Sequence, residues 1–424
     1  MKIKILAKTL LDKIGILKEC KQLFSYGLPY YKFLQWVRIR KIRKKGIVNV
    51  VYYAINVPMW RYQGVYDLLK KDKRFVQQVV ILSSPSYSDT ENVRLRDELI
   101  SFFTQRGMVY ILLDDLDQER KIKALNPDII FFAQHYSVLP PNVDSIYFKN
   151  RLLAYIPYCL FNGIGEWRYN NPLQLYAWRL YYPTRIHIAT ARKYSDTNGR
   201  NIRVVGEPHA DDFLSNNITN VWKDNRNRKH IIWAPHFLIH PYDRIQRSSF
   251  LWISEFMLKI AEEYKDEIFI AFKPHPRLYS ELCIDPNWGE EKANQYYNKW
   301  NEMENTQFEN GEFIDLFKGS DALIHDCSSF MSEYLFVKKP CLFITKDISV
   351  IRDDSCVFGN KCLDMHYVAK ETNDIIDFIE KVVLEDNDIL RNNRDEFFTK
   401  YLLPPNGMLT SENVYNDIVK SIFN

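Results

Sequence analysis

The sequence predicts an α/β protein: two successive domains of parallel sheet covered by helices, with a cleft between them and a helical extension in front. Three observations predict it. From Gly46 onward, short continuous apolar runs alternate with helix-length segments, the pattern of strands buried on both faces of a parallel sheet. The alternation breaks at the polar stretch 211–229 (DDFLSNNITNVWKDNRNRK) and then restarts, as at a linker. Finally, 424 residues exceed what a single hydrophobic core usually holds.

In chain order, the predicted strands of the first domain are 47–54 (IVNVVYYA), 78–82 (QVVIL), 108–113 (MVYILL), 127–132 (PDIIFF), 152–156 (LLAYI) and 186–189 (IHIA), with helical patterns at 65–73 and 92–105 between them. The second domain offers strands 230–234 (HIIWA), 267–272 (EIFIAF), 322–324 (ALI) and 341–344 (CLFI), and helices 249–264 and 329–337. Helical patterns at 373–384 and 411–423 close the chain. The expected division is an extension over 1–45, an acceptor-side domain over 46–215 and a nucleotide-donor domain over 225–385. The helices of 386–424 are expected to pack back on the first domain.

Composition narrows the function classes. A net charge of +4 is mild and concentrated only at 38–45 (RIRKIRKK), so nucleic acid is not an expected partner. Seven cysteines without a CxxC pair read as reduced thiols rather than a disulfide framework or zinc site. No apolar run has the length of a signal peptide or membrane span. The expectation is therefore a cytoplasmic protein, peripheral on the inner face of the membrane through 23–45. There an aromatic segment (Leu23, Phe24, Tyr30, Tyr31, Phe33, Leu34, Trp36) runs into the basic cluster. Each basic residue near an anionic surface contributes about 1 kcal/mol. The competing reading is a helix packed on its own protein with a solvated basic end.

Three segments carry candidate chemistry. In 320–340 (SDALIHDCSSFMSEYLFVKKP) a short strand ends in His325 and Asp326, and Ser328 or Ser329 opens a helix on which Glu333 follows. A helix start at the carboxyl end of a strand presents unpaired N–H groups to an anion, although serines also cap helices that bind nothing. In Lys273-Pro274-His275-Pro276, the prolines hold the histidine on a stiff extended turn. Lys273 and His275 together suit a diphosphate whose charge rises in the transition state. In Trp233-Ala234-Pro235-His236 a second histidine follows a strand. Its pairing with His240 as metal ligands requires a helix, which Pro235 and Pro241 oppose. In the first domain His135 follows PDIIFF, where a catalytic base or acceptor-site residue would sit, and His209 lies in GEPHADD. Neither GxxxxGK[ST] nor GxGxxG occurs, which argues against a P-loop ATPase or a dehydrogenase.

At these segments the sequence resembles the CDP-glycerol glycerophosphotransferase family, the teichoic-acid primases and polymerases and their capsule-synthesis relatives. The resemblance rests on KPHPRL (273–278), SDALIHDCSSFMSEYLFVKKPCLF (320–343) and IIWAPH (231–236), and on the pattern met by Asp321, Asp326, Ser328, Ser329, Glu333, Lys339 and Pro340. It implies a GT-B-like fold of two Rossmann-type domains, and transfer of a phospho-alditol from a CDP-linked donor to a hydroxyl of a lipid-linked or growing glycan, with release of CMP. It also implies no cofactor and no metal at the reaction centre. By the same resemblance His275 contacts the donor phosphates or activates the reaction; with His236 and His135, read from their positions after strands, it makes up the catalytic candidates. Lys273, Asp326, Ser328, Ser329 and Glu333 are the donor-binding candidates, the serines on the pyrophosphate and Glu333 on the ribose. Where family members carry a W-H-G type segment, this chain reads YIPYCLFNGIGEW (155–167), without a histidine. The alternatives are a GT-B glycosyltransferase with a nucleotide-sugar donor and a non-catalytic subunit of a polysaccharide-assembly complex.

Overall fold

Strands that bury both faces need a helix on each side, and the connections that supply those helices make neighbouring strands parallel. The computed structural model, which describes residues 27–113, 117–134, 138–160, 162–163, 166–240, 247–311 and 313–424, is built on this principle twice. Contacts divide the chain into two units. The first comprises Met1–Cys159, Gly165–Asp211 and Pro404–Asn424, and the second Leu160–Ile164 and Asp212–Leu403.

Among the described residues, the first unit's sheet has seven strands: β1 Val48–Ala54, β2 Phe75–Leu82, β3 Tyr110–Leu113, β4 Ile129–Phe132, β5 Leu152–Tyr155, β6 Arg179–Tyr182 and β7 Ile202–Val204. Their order is β3-β2-β1-β4-β5-β6-β7, parallel throughout. The core joins Val50, Tyr52, Ile129, Phe131 and Leu152 of the sheet to Leu69, Leu99 and Phe103 of the covering helices. The final helix, Thr410–Phe423, inserts Val414, Ile418 and Ile422 into the same core. Asp211 holds its start: Oδ1 accepts from the Thr410 amide (2.6 Å) and Oδ2 from the Ser411 amide (2.9 Å).

One predicted strand is corrected. Residues 186–189 lie in the helix Arg185–Tyr194, where Thr184 Oγ1 accepts from the Ile186 amide (3.2 Å) as an N-cap. The apolar alternation of IHIA does not describe the buried face, which is His187 and Ala191, four residues apart as on a helix. The strand of this region is β6, RLYY, whose Leu180, Tyr181 and Tyr182 are buried.

Among the described residues, the second unit's sheet has six strands: β8 Lys229–Ala234, β9 Ile268–Phe272, β10 Thr306–Phe308, β11 Ala322–His325, β12 Cys341–Ile344 and β13 Tyr367–Ala369. They run parallel in the order β10-β9-β8-β11-β12-β13. Strand order reverses between β8 and β11, and ligands of open α/β sheets bind at such a switch point, outside the carboxyl ends. Beneath that edge, Trp233, Phe272 and Trp300 pack into a fully buried aromatic core with Phe250 and Tyr296.

The helix Leu28–Lys45 begins the described chain. It seats Leu28, Gln35 and Ile42, one residue in seven, on the first unit. Gln35 donates to the Tyr176 carbonyl oxygen (2.8 Å), and Arg38 and Lys45 both pair with Asp128 (3.4 and 3.5 Å). Tyr30, Phe33 and Trp36 are exposed, as are Arg40, Lys41 and Lys44. Residues 23–26 lie outside the described residues. No helix among the described residues is long and apolar enough to cross a membrane.

Candidate active site

Three adjacent strands, β9, β8 and β11, end on one edge of the second sheet and deliver the predicted residues together. Past β8 and β9 the two chains stay in register: the Lys273 amide donates to the Trp233 carbonyl oxygen (2.8 Å) and the His275 amide to that of Pro235 (2.9 Å). This ladder fixes the Pro-His-Pro turn against the loop after β8. The rings of His236 and His275 lie 5.3 Å apart. Phe237 packs on both, at 4.5 and 4.4 Å, and the Arg277 guanidinium covers Phe237 at 4.3 Å.

Backbone geometry sets the tautomer of each ring. The Leu238 amide donates to His236 Nδ1 (3.1 Å), and the Arg277 amide donates to His275 Nδ1 (3.2 Å). A neutral imidazole that accepts at one nitrogen carries its proton on the other, so both rings are Nε2–H donors. Burial, then for His236 the neighbouring His275 and for His275 the charge of Arg277, pushes the pKa values down to about 3 and about 4. Both rings are uncharged at neutral pH.

Asp326 lies in the turn after β11 and binds the edge together. Its Oδ1 accepts from the His236 amide (2.5 Å), and its Oδ2 from the amide and hydroxyl of Ser249 at the start of helix Phe250–Glu263. Burial raises its pKa to about 6, against the pull of these hydrogen bonds. With both oxygens engaged, Asp326 positions the loop that carries His236. Two more motif residues are fasteners. Asp321 accepts from the His230 amide (2.8 Å) and so holds β11 to β8. Lys339 donates to the carbonyl oxygens of Lys318 (2.7 Å) and Ser320 at the end of helix Ile314–Gly319.

Ser329 occupies the N-cap of the short helix Phe330–Glu333, without a side-chain cap. Its hydroxyl meets Cys327 Sγ (3.2 Å) instead. Ser328 and Ser329 are half-buried and Glu333 is buried. Lys273 is buried too, and its ammonium donates to the Gly311 carbonyl oxygen (2.6 Å). The ammonium of Lys273 thus braces a loop beyond β10, while the uncharged ring of His275 stays at the turn. His240 pairs with Asp285 (2.6 Å). Among the described residues, no group of three or more His, Cys, Asp or Glu could hold a metal ion. His135 lies outside the described residues.

One residue escaped the sequence reading. Asn162, in the five-residue segment of the N-terminal half that belongs to the second unit, donates from Nδ2 to the Ser328 carbonyl oxygen (2.5 Å) and to Ser332 Oγ (2.9 Å). Ser332 Oγ itself donates to the Ser329 carbonyl oxygen (3.1 Å), so the amide orientation is fixed. Among the described residues, Asn162 Oδ1 is then buried without a partner. The segment is locked, since the Asn162 carbonyl oxygen accepts from the Cys356 amide (2.7 Å). A side chain at Gly359 would come within 2.3 Å of that oxygen. The only sequence signal was the interruption FNG within an apolar stretch.

Two Rossmann-type α/β sheets, with a histidine pair and a serine turn on the carboxyl edge of the second, define a GT-B-like group-transfer enzyme. The sequence profile of the CDP-glycerol:poly(glycerophosphate) glycerophosphotransferases matches residues 183–420, more than half of the chain. The chain belongs to this family, as its motifs indicated. Among curated proteins no sequence match is found. Solved structures share the fold at low identity. A variant of the wall teichoic acid polymerase TagF superposes with a TM-score of 0.60 at 13% identity, covering 96% of this chain and 98% of that one. MnaA of S. aureus with UDP gives 0.59 at 13%, over 89% and 97%. A UDP-GlcNAc 2-epimerase of Neisseria meningitidis bound to UDP-GlcNAc gives 0.53 at 12%, over 88% and 99%.

Proposed function

We propose that the chain transfers glycerol phosphate from CDP-glycerol to a hydroxyl of a growing or lipid-linked cell-surface polymer, with the diphosphate at the ends of β8, β9 and β11. An acceptor oxygen attacks the phosphorus that bears the glycerol. The bond from that phosphorus to the bridging oxygen breaks, and CMP leaves with the electron pair. The acceptor's proton passes to a base, for which His135 is the remaining histidine candidate. Such a reaction needs positioning and charge stabilisation more than covalent help. The observation that carries this reading is the histidine pair. Two neutral Nε2–H donors, fixed by backbone amides, suit the charge growing on the bridging oxygen and cannot serve as bases through that nitrogen. Ser328 and Ser329 supply further polar contacts from the neighbouring turn, and Glu333 is assigned to the ribose. No metal or cofactor takes part in this scheme.

The acceptor side involves a membrane surface. Phe33 and Trp36 stack (5.7 Å) and Arg40 lies over Trp36 (3.8 Å), so one exposed stripe of helix Leu28–Lys45 combines aromatic anchors with cations, as interfacial helices do.

A thermal-shift screen of CDP-glycerol, CDP-ribitol, UDP-sugars and GDP-sugars, followed by product analysis, tests the reading, because a ligand of the folded state raises its apparent stability. CMP released from CDP-glycerol is the expected product. An intact nucleoside diphosphate released from a sugar nucleotide would overturn the assignment. Stabilisation by donor without product across many acceptors would instead mark a binding subunit. Pelleting with anionic but not neutral vesicles, lost in Phe33→Ser/Trp36→Ser, is the expected membrane result; undiminished pelleting of that variant counts against it.

A further inference from the structure

On the same edge of the second sheet, a cavity of about 130 Å³ opens where β12 ends and helix Phe250–Glu263 begins. Its walls include Arg247, Ser249, Trp252, Thr345, Lys346 and Val350. Ser249 joins it to the histidine pair, because the Asp326 carboxylate that accepts from Ser249 also accepts from the His236 amide. The geometry points to a subsite for a glycerol-sized polyol. The inference rests on the transferase reading above and adds what selects the transferred group.

Size, charge and polarity agree on that occupant. A cavity of about 150 Å³ takes benzene, a ring of six heavy atoms. Glycerol has the same number of heavy atoms, whereas ribitol and a hexose have many more. The charges on the wall are largely answered from within. Arg247 pairs with Asp354, and the Asp347 carboxylate accepts from the amide and hydroxyl of Ser349. A neutral occupant fits this balance better than a phosphate. Ser249 Oγ and Thr345 Oγ1 line the cavity; their hydrogens go to Asp326 and to the Asp347 carbonyl oxygen, and the lone pairs left on them accept from the hydroxyls of an occupant. The Lys346 ammonium, with three hydrogens, donates one to the Lys370 carbonyl oxygen (2.9 Å) while lying 3.7 Å over the half-buried Trp252 ring. Trp252, Ile344 and Val350 supply an apolar wall for the C–H face of a polyol.

Two sources share this chemistry: the glycerol of the donor and the terminal glycerol of a poly(glycerol phosphate) acceptor. Thr345→Leu narrows the cavity from a half-buried position, and Val350→Phe does so from the following helix, Ile348–Asp353. Both leave His236, His275 and Asp326 untouched. Initial rates of CMP release are measured against CDP-glycerol and against a glycerol phosphate oligomer, alongside thermal shifts with CDP-glycerol and with CDP. A rise in KM of about tenfold or more, the scale of a lost buried polar contact, is expected in both variants for one of the two substrates. A rise for CDP-glycerol assigns the cavity to the donor, and a rise for the oligomer assigns it to the acceptor. Unchanged KM for both substrates in both variants overturns the subsite while leaving the transferase reading intact. If the wild type releases no CMP, the transferase reading fails and the shifts decide the subsite. Extra stabilisation by CDP-glycerol over CDP that is lost in the variants supports it, and equal shifts overturn it.

Discussion

Replacing His275 by alanine removes one of two hydrogen-bond donors from the edge where β8, β9 and β11 end. The ring is held by the Arg277 amide at Nδ1 and packs on Phe237 at 4.4 Å, so its Nε2–H is fixed before any substrate arrives. Loss of one preorganised donor to developing charge costs about 10²–10³ in kcat, and His275→Ala should fall in that range. His275→Gln, which keeps an N–H at similar reach, should lose less. The ring also leaves an acid signature. Its pKa of about 4, against an ordinary 6.5, means that stability present above pH 6.5 is lost as pH falls toward 4. At about 1.4 kcal/mol per unit this amounts to roughly 3 kcal/mol, so the alanine variant should be less acid-sensitive than the wild type by about that much. Single-turnover CMP release reads the first effect, and urea unfolding at pH 7 and pH 4.5 reads the second. An alanine variant that is folded at pH 7 and keeps the wild-type single-turnover rate would refute the charge-stabilising role. A loss confined to KM would reassign the ring to ground-state binding.

Acid should weaken the whole protein: His236, His275 and His366, with pKa values near 3, 4 and 4, each favour unfolding as pH drops below 6.5. Asp326, raised to about 6, acts oppositely, its stabilising share being present below its unfolded value near 4 and lost as pH rises through 6; three depressed histidines outweigh it, so the urea midpoint should fall from pH 7 to pH 4.5. Asn162→Ala deletes two hydrogen bonds on the serine turn, one buried and one partly buried, at about 1 kcal/mol each. It should weaken CDP-glycerol binding in a thermal-shift titration, and unaltered affinity would show that the turn does not depend on the amide. Asp211→Ala uncaps helix Thr410–Phe423 and should destabilise by about 1–2 kcal/mol with kcat unchanged; an unshifted melting temperature would contradict the capping role.

Most of the fold was legible because buried parallel strands announce themselves as apolar runs. IIFF, LLAY, IFIAF and CLFI are found as strands close to where periodicity put them. The failures have physical causes. β10 and β13, three residues each, are too short to show a period. IHIA imitated alternation, although Thr184 starts a helix there. At the site, the Pro-framed His275 and the loop carrying His236 were readable, and their ring separation of 5.3 Å follows from adjacent strands. That Lys273 would turn to the Gly311 carbonyl oxygen was not readable, because nothing local marks a side chain's long-range partner. Asn162 was invisible for the same reason: its importance lies in contacts 166 and 170 residues away.

The way the polypeptide is shared between its halves limits how it can be dissected. Residues 160–164 fold with 212–403, whereas 165–211 and 404–424 return to the first unit. A fragment cut at 212 and 403 would therefore carry every donor-side histidine and serine yet lack the amide that braces Ser328 and Ser332. A short peptide spanning 160–164, added in trans, should then restore nucleotide binding to that fragment. Such complementation would turn an awkward boundary into a handle on how the catalytic edge is assembled.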